Sequence, residues 1–114
     1  MSKLHEVNLE TGYPTANEAL LRLEFELRQA SKRGARAVKL IHGYGSKGVG
    51  GVLRHAVQRH LAGMRQAGAI RAFVAGEDWR VSNETAWEMQ KQLPELKRDR
   101  DLNRGNQGIT MVLL

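Results

Sequence analysis

From Leu4 to Glu10 the chain alternates, with Val7 and Leu9 apolar on one side and Glu6, Asn8 and Glu10 polar on the other. That period of two predicts a half-buried strand, ended by Gly12-Tyr13-Pro14. Thr15-Ala16-Asn17-Glu18 has the form of a capping box, so a helix should start there. Ala16, Leu20, Leu23, Leu27 and Ala30 recur at helical spacing and form one apolar stripe, and Arg33 should end the helix with Gly34 as a left-handed cap. Ala35 to Ile41 is a second strand, more continuously apolar and therefore central in its sheet and covered on both faces. Leu53, Val57, Leu61 and Met64 then mark a second helix that starts near Val52 and ends at Gly68, and Ala69 to Ala75 is a third strand.

Strand, helix, strand, helix, strand with short links is the pattern of βαβ units. The polar stretch from Gly76 to Arg104 breaks that rhythm. Ser82-Asn83-Glu84-Thr85 should cap a short helix through about Leu93, closed by Pro94. Lys97-Arg98-Asp99-Arg100-Asp101 reads as a solvated, mobile loop. Trp79 and Trp87 would hold this stretch down as a satellite cluster, with base stacking as the alternative. Gly105-Asn106-Gln107-Gly108 turns the chain into a last strand, Ile109 to Leu114. The expectation is one α/β domain over residues 1–114, with a polar insert at about 78–104 before the last strand.

A length of 114 residues, 41% of them hydrophobic and 26% charged, fits one folded soluble domain. No apolar run approaches membrane-spanning length and the N-terminus has no secretory pattern, so a cytoplasmic protein with no membrane partner is expected. With Cys at 0, disulfides and thiolate metal sites are excluded, and His5, His55 and His60 show no metal spacing with one another. The net charge of +6, with Arg outnumbering Lys, points to a polyanionic partner.

The chemistry concentrates where the second strand meets the second helix. His42 closes the strand, and Gly43, Gly45, Gly48, Gly50 and Gly51 follow before the helix. Such a loop lets backbone N–H groups approach a ligand without a Cβ in the way, and the helix start adds unpaired N–H groups and partial positive charge. Lys47 is the cation inside the glycine run, and Arg54 opens the helix on the side where its dipole disfavours a cation, unless an anion sits there. Gly43, Gly45 and Gly48 also spell G-x-G-x-x-G, but the next acidic strand end, Glu77, comes too late and the chain is too short for a dinucleotide fold. Asn8 and Glu10 point the same way from the first strand, either as a polar strand face or with Glu10 as a base or metal ligand.

Ile41-His42-Gly43-Tyr44-Gly45, the glycine loop to Gly51, Leu53-Arg54 and the terminal Gly105-Asn106-Gln107-Gly108-Ile109-Thr110-Met111-Val112-Leu113 resemble the Smr (small MutS-related) domain over nearly the whole chain. The resemblance implies a two-layer α/β sandwich, βαβαβ(α)β, with a mixed four-stranded sheet similar to the C-terminal domain of the third translation initiation factor. It implies binding of DNA or RNA, branched or structured in some members, nicking of the backbone in some, and roles in DNA repair, recombination or RNA processing. The family's motif carries over at His42, Gly43, Gly45 and Arg54. Its first motif, Leu-Asp-x-His-Gly, is altered: Asn8 stands where the acid belongs and Glu10 where the histidine belongs. An amide cannot act as a base, so cleavage would require Glu10 to substitute.

Three functions therefore stand at this point. The first is nucleic-acid binding through Gly43, Tyr44, Gly45, Lys47, Gly48, Gly51 and Arg54, with no cofactor. The second is a nicking endonuclease with His42 and Glu10 as catalytic groups and Mg²⁺ or Mn²⁺ if it cleaves. The third is a protein-interaction module, with the insert as a surface for a protein partner.

Overall fold

The computed structural model describes residues 2–43 and 51–114. Strand β1 (Leu4–Asn8) pairs in parallel with β2 (Ala37–Ile41), Leu4 opposite Ala37 and Asn8 opposite Ile41, and α1 (Ala16–Lys32) returns the chain between them. Helix α2 (Val52–Gln66) leads from β2 to β3 (Ala72–Ala75), but these two strands do not touch. The last strand, β4 (Ile109–Leu113), enters between them and pairs antiparallel with both, giving the order β1-β2-β4-β3. All five β4 residues are buried, as a strand covered on both faces requires. The sheet is therefore mixed and four-stranded, as the resemblance implied.

Local signals in the sequence are realised at the helix ends. The Glu18 N–H donates to Thr15 Oγ1 at 3.2 Å and the Thr15 N–H to Glu18 Oε1 at 2.9 Å, closing the capping box, and Gly34 ends α1 with φ +86°. The α1 stripe is rotated slightly from expectation: Ala19, Leu23, Leu27 and Ala30 are buried, whereas Ala16 and Leu20 are only half-buried. With Val57 and Leu61 of α2, Leu23, Leu27 and Ala30 cover Val7, Val38, Leu40 and Val112 on one face of the sheet.

The other face is covered by the insert. Helix α3 (Glu84–Gln92), capped by Asn83 Oδ1 accepting from the Ala86 N–H at 3.0 Å, brings Ala86 and Met89 over the sheet. Leu93, Leu96 and Trp79 join them against Ala37, Val74, Ile109 and Met111 in a second core. Trp79 is wholly buried, which makes it an anchor of the insert; Trp87 is 43% exposed and lies beneath the Lys97 ammonium at 5.7 Å from the ring centroid.

The charge run at 97–101 departs from the solvated loop that its composition predicts. Lys39 projects from the middle of β2 into the second core with 1% of its side chain exposed, and its Nζ lies 2.6 Å from Asp99 Oδ1 and 2.6 Å from Asp101 Oδ2. Asp99 also accepts from Trp79 Nε1–H at 3.0 Å, and Asp101 from Asn106 Nδ2 at 3.0 Å. A buried ammonium must be compensated by charge and hydrogen bonds, so the two aspartates fold inward while Lys97, Arg98 and Arg100 remain exposed.

Candidate nucleic-acid interface

Because β1, β2 and β3 run in parallel, their carboxyl ends share one edge of the sheet with the start of β4. Open α/β sheets bind ligands at that edge, where loops and helix N-termini converge. Here it holds Glu10, His42, Gly43, Gly51, Arg54 and Glu77. Tyr44, Gly45, Lys47 and Gly48, which the sequence also points to, lie outside the described residues.

Glu10 is not on the face of β1, as the alternation predicts, because the strand ends at Asn8. Asn8 instead serves the turn: its Oδ1 accepts from the Glu10 N–H at 2.8 Å, and the Glu10 carbonyl accepts from the Tyr13 N–H at 3.0 Å. This brings the Glu10 carboxylate against the backbone of Gly43. Gly43 has φ +72°, which selects glycine, and a Cβ there would also displace the Glu10 carboxylate, the mobile end of an exposed side chain.

His42 is buried, with 3% of its surface exposed. Its Nδ1 lies 2.7 Å from the Gly43 carbonyl oxygen and its Nε2 2.8 Å from Thr110 Oγ1. A carbonyl can only accept, which assigns the proton to Nδ1 and leaves Nε2 to accept from the Thr110 hydroxyl. Gln58 Nε2 in turn donates to Thr110 Oγ1 at 3.4 Å. Burial, reinforced by the Arg54 charge, pulls His42 below the usual histidine range; the Gly43 carbonyl and the carboxylates of Glu10 and Glu77 oppose this without reversing it. The ring is therefore neutral at physiological pH. The Gly108 carbonyl accepts from both the His42 and the Gly43 N–H at 3.0 Å, tying the start of the glycine loop to the turn before β4.

Helix α2 begins at Gly51, in the left-handed region with φ +73°, with no side-chain cap among the described residues and no acid in its first turn. By contrast, α1 and α3 each have a capping side chain and a first-turn glutamate. Arg54, in the first turn of α2, places Nη1 2.6 Å from Glu77 Oε2 beyond the end of β3. That pair is one reason for a cation at this unfavoured position. The Arg54 Nε is buried and finds no acceptor among the described residues.

The structure thus brings together His42, Gly43, Glu10, Gly51 and Arg54, from three separate segments of the chain. Sequence reasoning missed Thr110, Gln58 and Gly108, which hold His42 and Gly43 in place. Thr110 had one visible signal, a lone polar residue in an otherwise apolar strand. Gly108 was legible as part of the turn before the last strand but not as a partner of His42 and Gly43, and Gln58 had no signal, since these roles exist only once β4 lies beside β2. Among the described residues, no three metal-ligating side chains converge, and no helix is long and apolar enough to cross a membrane.

Comparison with known proteins follows the same elements. The Smr domain profile matches residues 11–78, more than half of the chain, spanning α1, β2, α2 and β3 and beginning just past the altered Asn8 and Glu10. The crystal structure of the Smr domain of Thermus thermophilus MutS2 aligns with a TM-score of 0.58 at 25% identity, over 96% of this chain and 96% of that one. None of the curated proteins compared with the chain matches it. The profile match and the shared fold together establish that the chain belongs to the Smr domain family.

Proposed function

We propose that this Smr domain binds structured DNA or RNA by gripping phosphates at the carboxyl edge of its sheet. The observation that carries this reading is the start of α2, where no side chain among the described residues caps the first-turn N–H groups and Arg54 lies beside them at the carboxyl edge. Lys47 and the glycines between would complete the cradle. His42, neutral and held by its neighbours, acts as a positioning residue that orients the Gly43 carbonyl and so the loop that leaves it.

The test is a salt-controlled titration with labelled duplex and hairpin probes of DNA and RNA. Each phosphate contact on duplex contributes a slope of about −0.9 in log affinity against log salt. Losing one charge-assisted contact should lower affinity by roughly tenfold to a hundredfold. Removing Arg54 alone strands Glu77, so the variant to use is Arg54→Ala with Glu77→Gln. Binding equal to wild type would reject the site, and a flat salt response in wild type would leave a protein-interaction module.

A specific observation favours nicking as a second reading: the Glu10 carboxylate lies beside Gly43, where a bound phosphate would sit. There it could take the proton of a water attacking phosphorus, while one P–O bond breaks and the leaving oxygen is protonated by solvent. Incubating end-labelled branched DNA and structured RNA with wild type and Glu10→Gln, with and without Mg²⁺ or Mn²⁺, reads this on a denaturing gel. Cleavage lost in the variant supports it; intact substrate throughout leaves binding alone.

A further inference from the structure

At the carboxyl edge Arg54 is set against Glu10 and Glu77, and Arg22 donates to the Thr11 carbonyl at 2.9 Å. The opposite, amino edge is different. Lys3, Arg36 and Arg71 immediately precede β1, β2 and β3, and the parallel strands place all three at that end. Backbone bonds fix their adjacency: the Arg36 N–H donates to the Lys3 carbonyl at 2.9 Å, the Leu114 N–H to the Arg36 carbonyl at 2.9 Å, and the Arg71 N–H to the Leu113 carbonyl at 2.9 Å. A βαβ crossover also returns each helix C-terminus to this end, adding Lys32, Arg33 and Arg65.

All six cations are exposed, and none forms an ion pair among the described residues. The helix dipole accounts for Lys32, Arg33 and Arg65, each beside a helix C-terminus. It gives no reason for Lys3, Arg36 and Arg71, which open strands. Glu95 is one acid at this edge, engaged with the Lys3 N–H at 2.6 Å and the Ser2 hydroxyl at 2.8 Å, and the carboxyl group of Leu114 is another, beside Arg36.

We propose that this amino edge is a second nucleic-acid contact, so that the domain holds two segments at opposite ends of its sheet. The choice of partner rests on the nucleic-acid reading of the family site; the location does not. Across β1, β2, β4 and β3 the edge spans three strand spacings, about 14 Å, a length over which one strand of B-form duplex carries about four phosphates. Four of the six cations are arginines, the side chain suited to bidentate phosphate contacts. An anionic membrane is the poorer fit, because the exposed large hydrophobics (Tyr13, Leu21, Phe25, Val52, Val81 and Trp87) all lie elsewhere.

The experiment compares wild type, the triple variant Lys3→Ala/Arg36→Ala/Arg71→Ala, and Arg54→Ala/Glu77→Gln. Each is titrated with labelled duplex over a salt series, and each is mixed with two differently labelled duplexes to read their bridging by energy transfer. Far-UV circular dichroism checks the fold, and a glutamine triple replaces the alanine one if the latter unfolds. The triple variant should lower the salt slope by about two to three and abolish bridging. Slope and bridging equal to wild type would overturn the amino-edge contact. If the triple variant loses binding while the Arg54 variant keeps it, the amino edge stands and the family site falls. A wild type that sediments with anionic vesicles yet binds no nucleic acid would overturn both.

Discussion

At His42 the decisive quantity is burial. The ring is enclosed, its Nδ1–H is committed to the Gly43 carbonyl and its Nε2 to Thr110, and burial disfavours the imidazolium. The folded chain consequently binds fewer protons on this ring than the unfolded chain does. Stability then rises with pH: the contribution of His42 is present above the ordinary histidine range and is lost as pH falls through that range toward the depressed folded value. Ring-carbon NMR shifts of His42 should lie on the neutral side of half-titration at about pH 6.5, where an unperturbed histidine is half-protonated. A ring titrating at the ordinary value would contradict the enclosure. From sequence, His42 beside a glycine loop was legible as a site residue, but its neutrality was not. The groups that impose it, Thr110 and the backbone around it, arrive from 68 residues away.

At the scale of elements, the insert is attached to the sheet by apolar burial and by the Lys39 triad. Burial alone would lower the Lys39 pKa, yet its hydrogen bonds and charge contacts with Asp101 and Asp99 outweigh it and hold the ammonium above the ordinary lysine range. For Asp101, burial is opposed by hydrogen bonds from Asn106 and Lys39, which together keep the carboxyl below its usual range. The signs follow from linkage. The share of Asp101 is present above the ordinary aspartate range and lost as pH falls through its folded value; that of Lys39 is full below the ordinary lysine range and lost as pH rises through its folded value. The latch is thus closed throughout the neutral region. Lys39→Ala, which leaves two carboxylates facing an apolar pocket, should cost about 3–5 kcal/mol, whereas Lys39→Met with Asp99→Asn and Asp101→Asn should cost much less. Urea melts followed by Trp79 fluorescence measure both, and equal losses would show that the charges are not coupled. The sequence did carry a trace of this arrangement. A lysine inside Ala37-Val38-Lys39-Leu40-Ile41 has no place in a strand covered on both faces unless acids come to meet it.

For the whole molecule, the position of β4 governs integrity. It is last in the chain yet sits between β2 and β3, supplies Val112 to one core and Ile109, Met111 and Leu113 to the other, and carries the hydroxyl that holds His42. A chain stopped after Gly108 would leave β2 and β3 without a common partner and both cores open. It should give the far-UV circular dichroism of a largely unfolded protein without a cooperative melt; a folded truncated chain would show that α1, β2 and α2 suffice. The individual elements were readable from sequence because they rest on local chemistry. Period-two and period-3.6 patterning, the Thr15 capping box, the Asn83 cap and the Gly34 stop act within a few residues; the elements formed in the order those signals gave, with β1 ending at Asn8 rather than Glu10 and β2 starting at Ala37 rather than Ala35. The span assigned to the third strand, Ala69 to Ala75, pairs in the sheet only over Ala72–Ala75, with Ile70 buried ahead of it. Family membership was readable for the same reason, since its signature lies in contiguous stretches. Tertiary structure alone decided which polar residues would turn inward, which hydroxyl would meet His42, and which end of the sheet would gather unpaired cations. Those outcomes depend on groups far apart in the chain, and neither periodicity nor spacing encodes which of them a mixed sheet will bring side by side.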